Sequence, residues 1–195
     1  DLEIHEVSQG TIIENDEYEV RCKEMEHGVP CVAYSIVEKD YRKMLKSELE
    51  KRGLNGPIIG KLQNGETVTV DEESIHPDDV SEMIDGRKVT FILDTSYTKD
   101  AVDLAKDSDL LITECTYLNE LREKAKEYNH LTTRQAGKIA KESGSDMLVI
   151  THFSQRYRDE QRLVEEVENV FPNVEGAKDF IRFLVTKDKT VEKVT

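Results

Sequence analysis

Three apolar runs in the second half of the sequence each close on a residue able to hold a metal or move a proton. Val-Thr-Phe-Ile-Leu at 89–93 leads to Asp94, Leu-Leu-Ile-Thr at 110–113 to Glu114, and Leu-Val-Ile-Thr at 148–151 to His152. In open α/β sheets, reactive groups collect where strands end at their carboxyl edge. An acid, an acid and an imidazole on neighbouring strand tips therefore compose a metal or acid–base constellation. Each residue also has a plain structural alternative. Asp94, followed by Thr95 and Ser96, reads equally as a turn opener or a helix cap. Glu114 reads as an ordinary solvent-facing strand end. His152 reads as a hydrogen-bonded structural histidine, although it closes a strongly apolar strand where an unpaired imidazole would lose solvation.

Two more histidines stand where chemistry is possible. His27 lies in Glu26-His27-Gly28-Val29-Pro30, a tight turn between two strands in which glycine permits close backbone approach. His130 precedes Thr132 and Gln135, which have the spacing of a capping box. It therefore sits beside a helix amino terminus, where backbone N–H groups favour anions such as phosphate. His5 and His76 read as surface residues. Residue types and spacing by themselves stop at a metal hydrolase.

The elements that must position these groups follow from periodicity. Strands are expected at 2–7, 18–23, 31–37, 66–70, 88–93, 110–113, 147–151 and 180–185. Helices are expected at 40–52 (with Tyr41, Met44, Leu45 and Leu49 on one stripe), 99–106, 118–127, 133–143 and 159–170. Residues 74–84 read as a polar turn and a short helix. Strands alternating with helices mean an α/β layered domain, and 195 residues suffice for one domain with a buried core. No apolar run approaches the ~18 residues of a membrane helix. The three cysteines, Cys22, Cys31 and Cys115, are odd in number and lack the C-x-x-C spacing, which points to thiols in a reducing cytoplasm. The net charge of −14 argues against a surface that is basic throughout. Residues 39–61 differ: seven basic residues (Lys39, Arg42, Lys43, Lys46, Lys51, Arg52, Lys61) stand against three acidic ones, a local charge of +4.

Five segments then carry a resemblance. Glu26-His-Gly-Val-Pro-Cys-Val-Ala-Tyr34, Phe91-Ile-Leu-Asp-Thr95, Leu111-Ile-Thr-Glu-Cys-Thr-Tyr117, Asn129-His-Leu-Thr-Thr133 and Ile150-Thr-His-Phe-Ser-Gln-Arg-Tyr157 resemble, in order and approximate spacing, the ribonuclease Z family of the metallo-β-lactamase fold. The resemblance implies part of an αββα sandwich: the second half of that fold, as a single domain over 1–195, with 39–65 as a protruding arm that grips tRNA. It implies a zinc-dependent endonuclease that removes the 3′ trailer from tRNA precursors, with two zinc ions in the complete site.

In residues, it implies that His27 ligates one zinc, Asp94 bridges two, and His152 ligates the second. His130 would assist at the scissile phosphate, oriented by Glu114. Ser154, Arg156 and Tyr157 would hold RNA phosphate, with Arg as the natural fork for it. Gly56, Pro57, Lys43, Lys46, Lys51 and Arg52 would serve in the arm. A homodimeric, cytoplasmic enzyme is the family's form. Two departures are visible: the His-rich metal motif expected ahead of these segments has no counterpart in the 195 residues, and Leu93 stands where a glycine is usual. The 195 residues alone are accordingly expected to hold zinc weakly, to self-associate and to leave tRNA precursors uncut. The alternatives at this point are another hydrolase of the same fold, acting on a small ester or sulfate, and a non-catalytic chain that binds tRNA or a partner.

Overall fold

The computed structural model describes residues 4–194. The chain divides into two compact units, one running up to Glu38 and resuming at Arg87, the other Lys39–Gly86.

The chain opens with β1 (Gly10–Glu14), β2 (Tyr18–Met25) and β3 (Cys31–Glu38), an antiparallel meander. Of the strand expected at 2–7, residues 2 and 3 lie outside the described residues, and 4–7 form no regular element. The first strand is Gly-Thr-Ile-Ile-Glu instead, whose β-branched residues suit a pleat and whose bulge between Thr11 and Ile13 breaks simple alternation.

The second unit comprises β4 (Tyr41–Met44), α1 (Lys46–Lys51), α2 (Pro57–Gln63), β5 (Val68–Val70), β6 (Glu73–Ile75) and β7 (Ser81–Ile84). The helix expected over 40–52 is a strand followed by a shorter helix. Tyr41 and Lys43 are exposed while Arg42 and Met44 are half-buried, a period of two. The strand is set by its antiparallel partner β7, which local periodicity forty residues away does not reveal. That partner likewise replaces the helix expected in 74–84 by two short strands and one turn of 3-10 helix. Leu49, Leu54, Leu62, Val68, Ile75 and Val80 form this unit's own buried cluster. The 39–65 segment lies wholly inside it.

The chain re-enters the first unit through Arg87, whose guanidinium Nε donates to Glu38 at 2.6 Å. Thereafter come β8 (Lys88–Ile92), α3 (Lys99–Ala105), β9 (Leu110–Glu114), α4 (Arg122–Glu127), α5 (Thr133–Ser143), β10 (Met147–Thr151), α6 (Gln161–Glu168), β11 (Val174–Gly176), β12 (Arg182–Val185) and β13 (Val191–Val194). The large sheet has the order β1-β2-β3-β8-β9-β10-β11, antiparallel up to β8 and parallel from β8 onward. Alternate residues of its strands serve different cores, as the pleat requires. Leu111, Leu148 and Ile150 pack with Ala101, Leu104, Ala136, Ile139, Leu163 and Val167 of the helices. Leu110, Met147 and Val149 join Val185 of the β12–β13 hairpin in a second, smaller cluster. Each of the fully buried aliphatic side chains contributes roughly 1.5–3 kcal/mol, which holds the parallel strand tips in register.

Candidate active site

The register of the parallel strands sets Ile92 beside Thr113 and Glu114 beside Thr151, so the three tips end side by side. Asp94 follows β8 at φ +50° and His152 follows β10 at φ +55°. A left-handed backbone costs a non-glycine residue roughly 1–2 kcal/mol. Such strain persists only where surrounding structure over-determines it, and it gathers at functional sites. Here it turns both side chains toward each other, with Asp94 Oδ1 at 3.2 Å from His152 Nε2 and 4.0 Å from His130 Nδ1. The His130 ring stands between its neighbours, its centroid 5.1 Å from that of His27 and 5.3 Å from that of His152. His27 is fixed by donating from Nδ1 to the carbonyl of Asn129 at 3.2 Å, and Asn129 is a third residue at positive φ. The turn at 27, the tips at 94 and 152 and His130, three residues ahead of α5, are therefore brought together.

Glu114 lies beneath them, with no solvent exposure. Its Oε1 accepts from the Thr95 N–H at 2.8 Å and from His130 Nδ1 at 2.9 Å. Its Oε2 accepts from the Thr116 hydroxyl at 2.6 Å and from the Leu131 N–H at 3.0 Å. A carboxylate offers about four lone-pair positions, and all are engaged. Glu114, His130 and His152 place ligand atoms within 4.8 Å of one another, but the saturated carboxylate has nothing left to give an ion. The group His27, Asp94 and His130, half-buried throughout and equally close, is open. Glu114 is thus the hub that fixes His130, not a solvent-facing strand end. With His130 Nδ1–H committed to Glu114, the ring keeps Nε2 outside that hydrogen bond.

His130 is held from its own side as well. Thr132 and Gln135 form the expected capping box at the start of α5. Tyr117 ties the loop after β9 to this helix entry, donating its N–H to Leu131 at 3.2 Å while its carbonyl accepts from Thr133 at 2.9 Å. Its ring meets His130 edge-on, with centroids 6.2 Å apart, and carries Arg156 5.1 Å above its centroid. Arg156 Nε donates to Ser154 Oγ at 3.0 Å, so these two expected phosphate contacts are adjacent and Arg156 is exposed. Tyr157 is partly buried, and its hydroxyl accepts from the Leu118 N–H at 3.0 Å. Tyr117, Thr116 and Asn129 are site residues that sequence reasoning missed. Their signal was membership of the matching segments and position, one to three residues from a candidate; no role was read for them from residue type. The two nearby thiols are held neutral: burial foremost, then Asp94, raises that of Cys31, and burial raises that of Cys115 well above the ordinary range.

The basic residues of 39–61 are placed separately. Lys43 lies 3.0 Å from Glu82, Lys46 3.7 Å from Glu50, Lys51 2.7 Å from Glu48, and Arg52 3.5 Å from Glu73. Arg42 lies 2.5 Å from Asp78. The cations of the +4 window therefore pair both with acids inside it (Glu48, Glu50) and with acids after it (Glu73, Asp78, Glu82), and the unit Lys39–Gly86, with seven basic and eleven acidic residues, carries −4. Gly56 caps α2 at φ +66° and ψ −144°, a conformation reserved for glycine, and Pro57 occupies the first turn.

No family model matches the chain. Among curated proteins it is 35% identical to ribonuclease Z of Protochlamydia amoebophila over 94% of its own length and 60% of that protein's. It is 37% identical to ribonuclease Z of Brevibacillus brevis over 97% and 63%, and 38% identical to that of Bacillus licheniformis over 92% and 60%. Among solved structures, the metallo-β-lactamase fold protein YhfI of Bacillus subtilis superposes with a TM-score of 0.57 at 20% identity, covering 90% of this chain and 52% of that one. The short form of human tRNase Z gives 0.52 at 25% identity, covering 87% and 44%. The chain spans about three fifths of the length of the curated relatives it matches. It is a relative of the ribonucleases Z over that part of their length, and its α/β architecture is part of the metallo-β-lactamase fold.

Proposed function

We propose that this chain carries part of the catalytic centre of a zinc-dependent endonuclease that removes 3′ trailers from tRNA precursors. The observation that carries the reading is the convergence of His27, Asp94 and His152 around a Glu114-backed His130, in a chain at least 35% identical to several ribonucleases Z. The donor set fits zinc: imidazoles and a carboxylate are the ligands that ion takes, and His27 has its Nδ1 engaged by a carbonyl, which leaves Nε2 for an ion. In this reading His27, Asp94 and His152 would be the residues of this chain that hold the metal. Zinc held there would supply Lewis acidity, which would lower the pKa of water toward ~7 and offset charge that develops at phosphorus.

The chain's own groups do the rest. His130, oriented through Nδ1 by Glu114, delivers a proton from Nε2 to the departing oxygen. Arg156, steadied on the Tyr117 ring and by Ser154, offers its remaining N–H groups to a phosphate of the RNA. Tyr157 spends its acceptor on Leu118 and keeps its O–H as a donor. Residues 39–65, within the unit that ends at Gly86, serve as the tRNA-binding arm, with Gly56 and Pro57 at its turn and Lys43, Lys46, Lys51 and Arg52 as cations that exchange an acidic neighbour for phosphate. A homodimer and a cytoplasmic location accompany this reading; no helix among the described residues is long and apolar enough to cross a membrane.

The test is cleavage of a tRNA precursor by the longest natural form of the protein that contains these residues. His130→Ala should lower kcat by ~10²–10⁴, the usual share of one general acid, with zinc content unchanged, whereas Asp94→Ala should lower both. Full cleavage by either variant would refute the assignment.

A further inference from the structure

The loop after β9 holds a threonine that no role above accounts for. Thr116 is 5% exposed and lies between Glu114 and His152. Its hydroxyl has one proton and three acceptors in reach: Glu114 Oε2 at 2.6 Å, the His152 carbonyl at 3.0 Å and His152 Nδ1 at 3.0 Å. We propose that Thr116 is a positioning residue that fixes the tautomer of His152, so that Nδ1 carries the proton and Nε2 presents its lone pair beside Asp94. The inference rests on the reading of His152 as a metal ligand and adds to it the group that prepares that ligand.

Three acceptors compete for one proton. A hydrogen bond to a carboxylate is about twice as strong as one between neutral groups and is shorter. The 2.6 Å contact to Glu114 is the shortest of the three, so the hydroxyl proton goes there. The threonine oxygen then faces His152 Nδ1 only as an acceptor, and Nδ1 must donate. The opposite tautomer would need the hydroxyl to turn its proton to Nδ1 and leave a fully buried Glu114 oxygen one donor short, at a cost of roughly 1–3 kcal/mol. The opposite tautomer would gain a hydrogen bond from Nε2 to Asp94 Oδ1, but at 3.2 Å and between side chains 46% and 40% exposed it is worth less than the buried 2.6 Å bond to Glu114. With Nδ1 protonated, Nε2 and Oδ1 meet there as two acceptors. A cation resolves that encounter, and until one binds the pair is held in a ligating geometry. Glu114 thereby sets two histidines at once, His130 directly and His152 through Thr116. The sequence hides this because the threonine works only through a carboxylate two residues before it and a ring thirty-six residues after it.

The test reads the tautomer directly. Long-range proton–nitrogen spectra of the 195-residue chain, histidine-labelled and kept metal-free with chelator at pH about 8.5, above the ordinary imidazole value of ~6.5, should show His152 protonated at Nδ1. The signal is assigned by its loss in His152→Gln. Thr116→Ser should keep this tautomer, and Thr116→Val, which preserves shape but removes the hydroxyl, should move His152 toward Nε2–H. Zinc affinity should fall ~10–100-fold in the valine variant, the usual effect of losing an outer-shell partner, and stay near the starting value in the serine variant. Nε2–H as the main form in the unaltered chain, or an unchanged tautomer in Thr116→Val, would overturn the proposal. If the valine variant does not fold, the spectrum of the unaltered chain decides alone. Absence of zinc at His152 would count against the metal reading, while the metal-free spectra would still judge Thr116.

Discussion

Glu114→Gln tests whether the buried carboxylate is the hub of the site. The amide keeps the size of the side chain and changes what it offers: one oxygen that accepts, and one NH₂ that only donates. The native carboxylate takes four donors, two on each oxygen. Whichever way the amide turns, two of those donors face another donor. One orientation sets the NH₂ against the Thr95 N–H and His130 Nδ1, the other against Thr116 and the Leu131 N–H. The Thr95 and Leu131 donors are backbone groups that cannot rotate away, and both residues are fully buried. Leaving a buried donor unpaired costs about 1–3 kcal/mol. Thr116 and His130 can re-aim, so one rigid donor is stranded in full and its companion in part, a loss of about 2–4 kcal/mol. Urea unfolding followed by circular dichroism measures it, with the slope checked for constancy. A loss under about 1 kcal/mol would mean that the four bonds are not worth what burial demands, and the account of Glu114 as the hub would fall.

Three further outcomes follow from the same structure. The Arg87 guanidinium beside Glu38 holds that carboxylate below its usual range, so the pair stabilises the fold above the unfolded carboxylate pKa and loses that contribution as pH falls through the folded value. Both side chains are about a third exposed, which discounts the pair for solvent; Glu38→Gln should cost about 0.5–1 kcal/mol at neutral pH and nothing once the carboxylate is protonated, and an equal cost at both would contradict the linkage. Gly56→Ala meets open space but not an allowed backbone, so it should destabilise the unit Lys39–Gly86 by about 1–3 kcal/mol, read as faster amide exchange at Leu62 with exchange at Leu148 unchanged. Because Lys43 and Arg52 are paired with Glu82 and Glu73, replacing those two acids by glutamine should tighten tRNA binding and steepen its salt dependence. No change in either would remove those cations from the interface.

Much of the first unit is legible in the sequence because its strands are short, apolar and read alone. The strand Met147–Thr151 and the helix Thr133–Ser143 fall where periodicity puts them, and the capping box at Thr132 marks the helix start. The second unit is misread for a physical reason. Leu45 and Leu49 are four apart and complete a helical stripe, yet Tyr41–Met44 is claimed by β7 across a long excursion, and pairing at that separation leaves no local trace. The local +4 charge misleads similarly, since the acids that neutralise it lie up to thirty-nine residues further along the chain. At the site, the histidines and Asp94 declare themselves by type. Glu114 is visible as an acid at a strand end, but its complete burial and its four donors are not, because they come from Thr95, Thr116, His130 and Leu131, which only the fold assembles. Thr116 and Asn129 act through a neighbour's ring, and nothing in a lone threonine or asparagine announces it.

Whether His27, Asp94 and His152 share one metal centre is read from a zinc anomalous difference map of crystals of the chain grown at saturating zinc. A shared centre gives a peak within about 2.0–2.2 Å of an Asp94 carboxylate oxygen and an imidazole nitrogen of His27 or His152, the range for zinc with these ligands, and the peak is lost in Asp94→Ala. No peak among these residues, or a peak carried instead by the saturated carboxylate of Glu114, would contradict it.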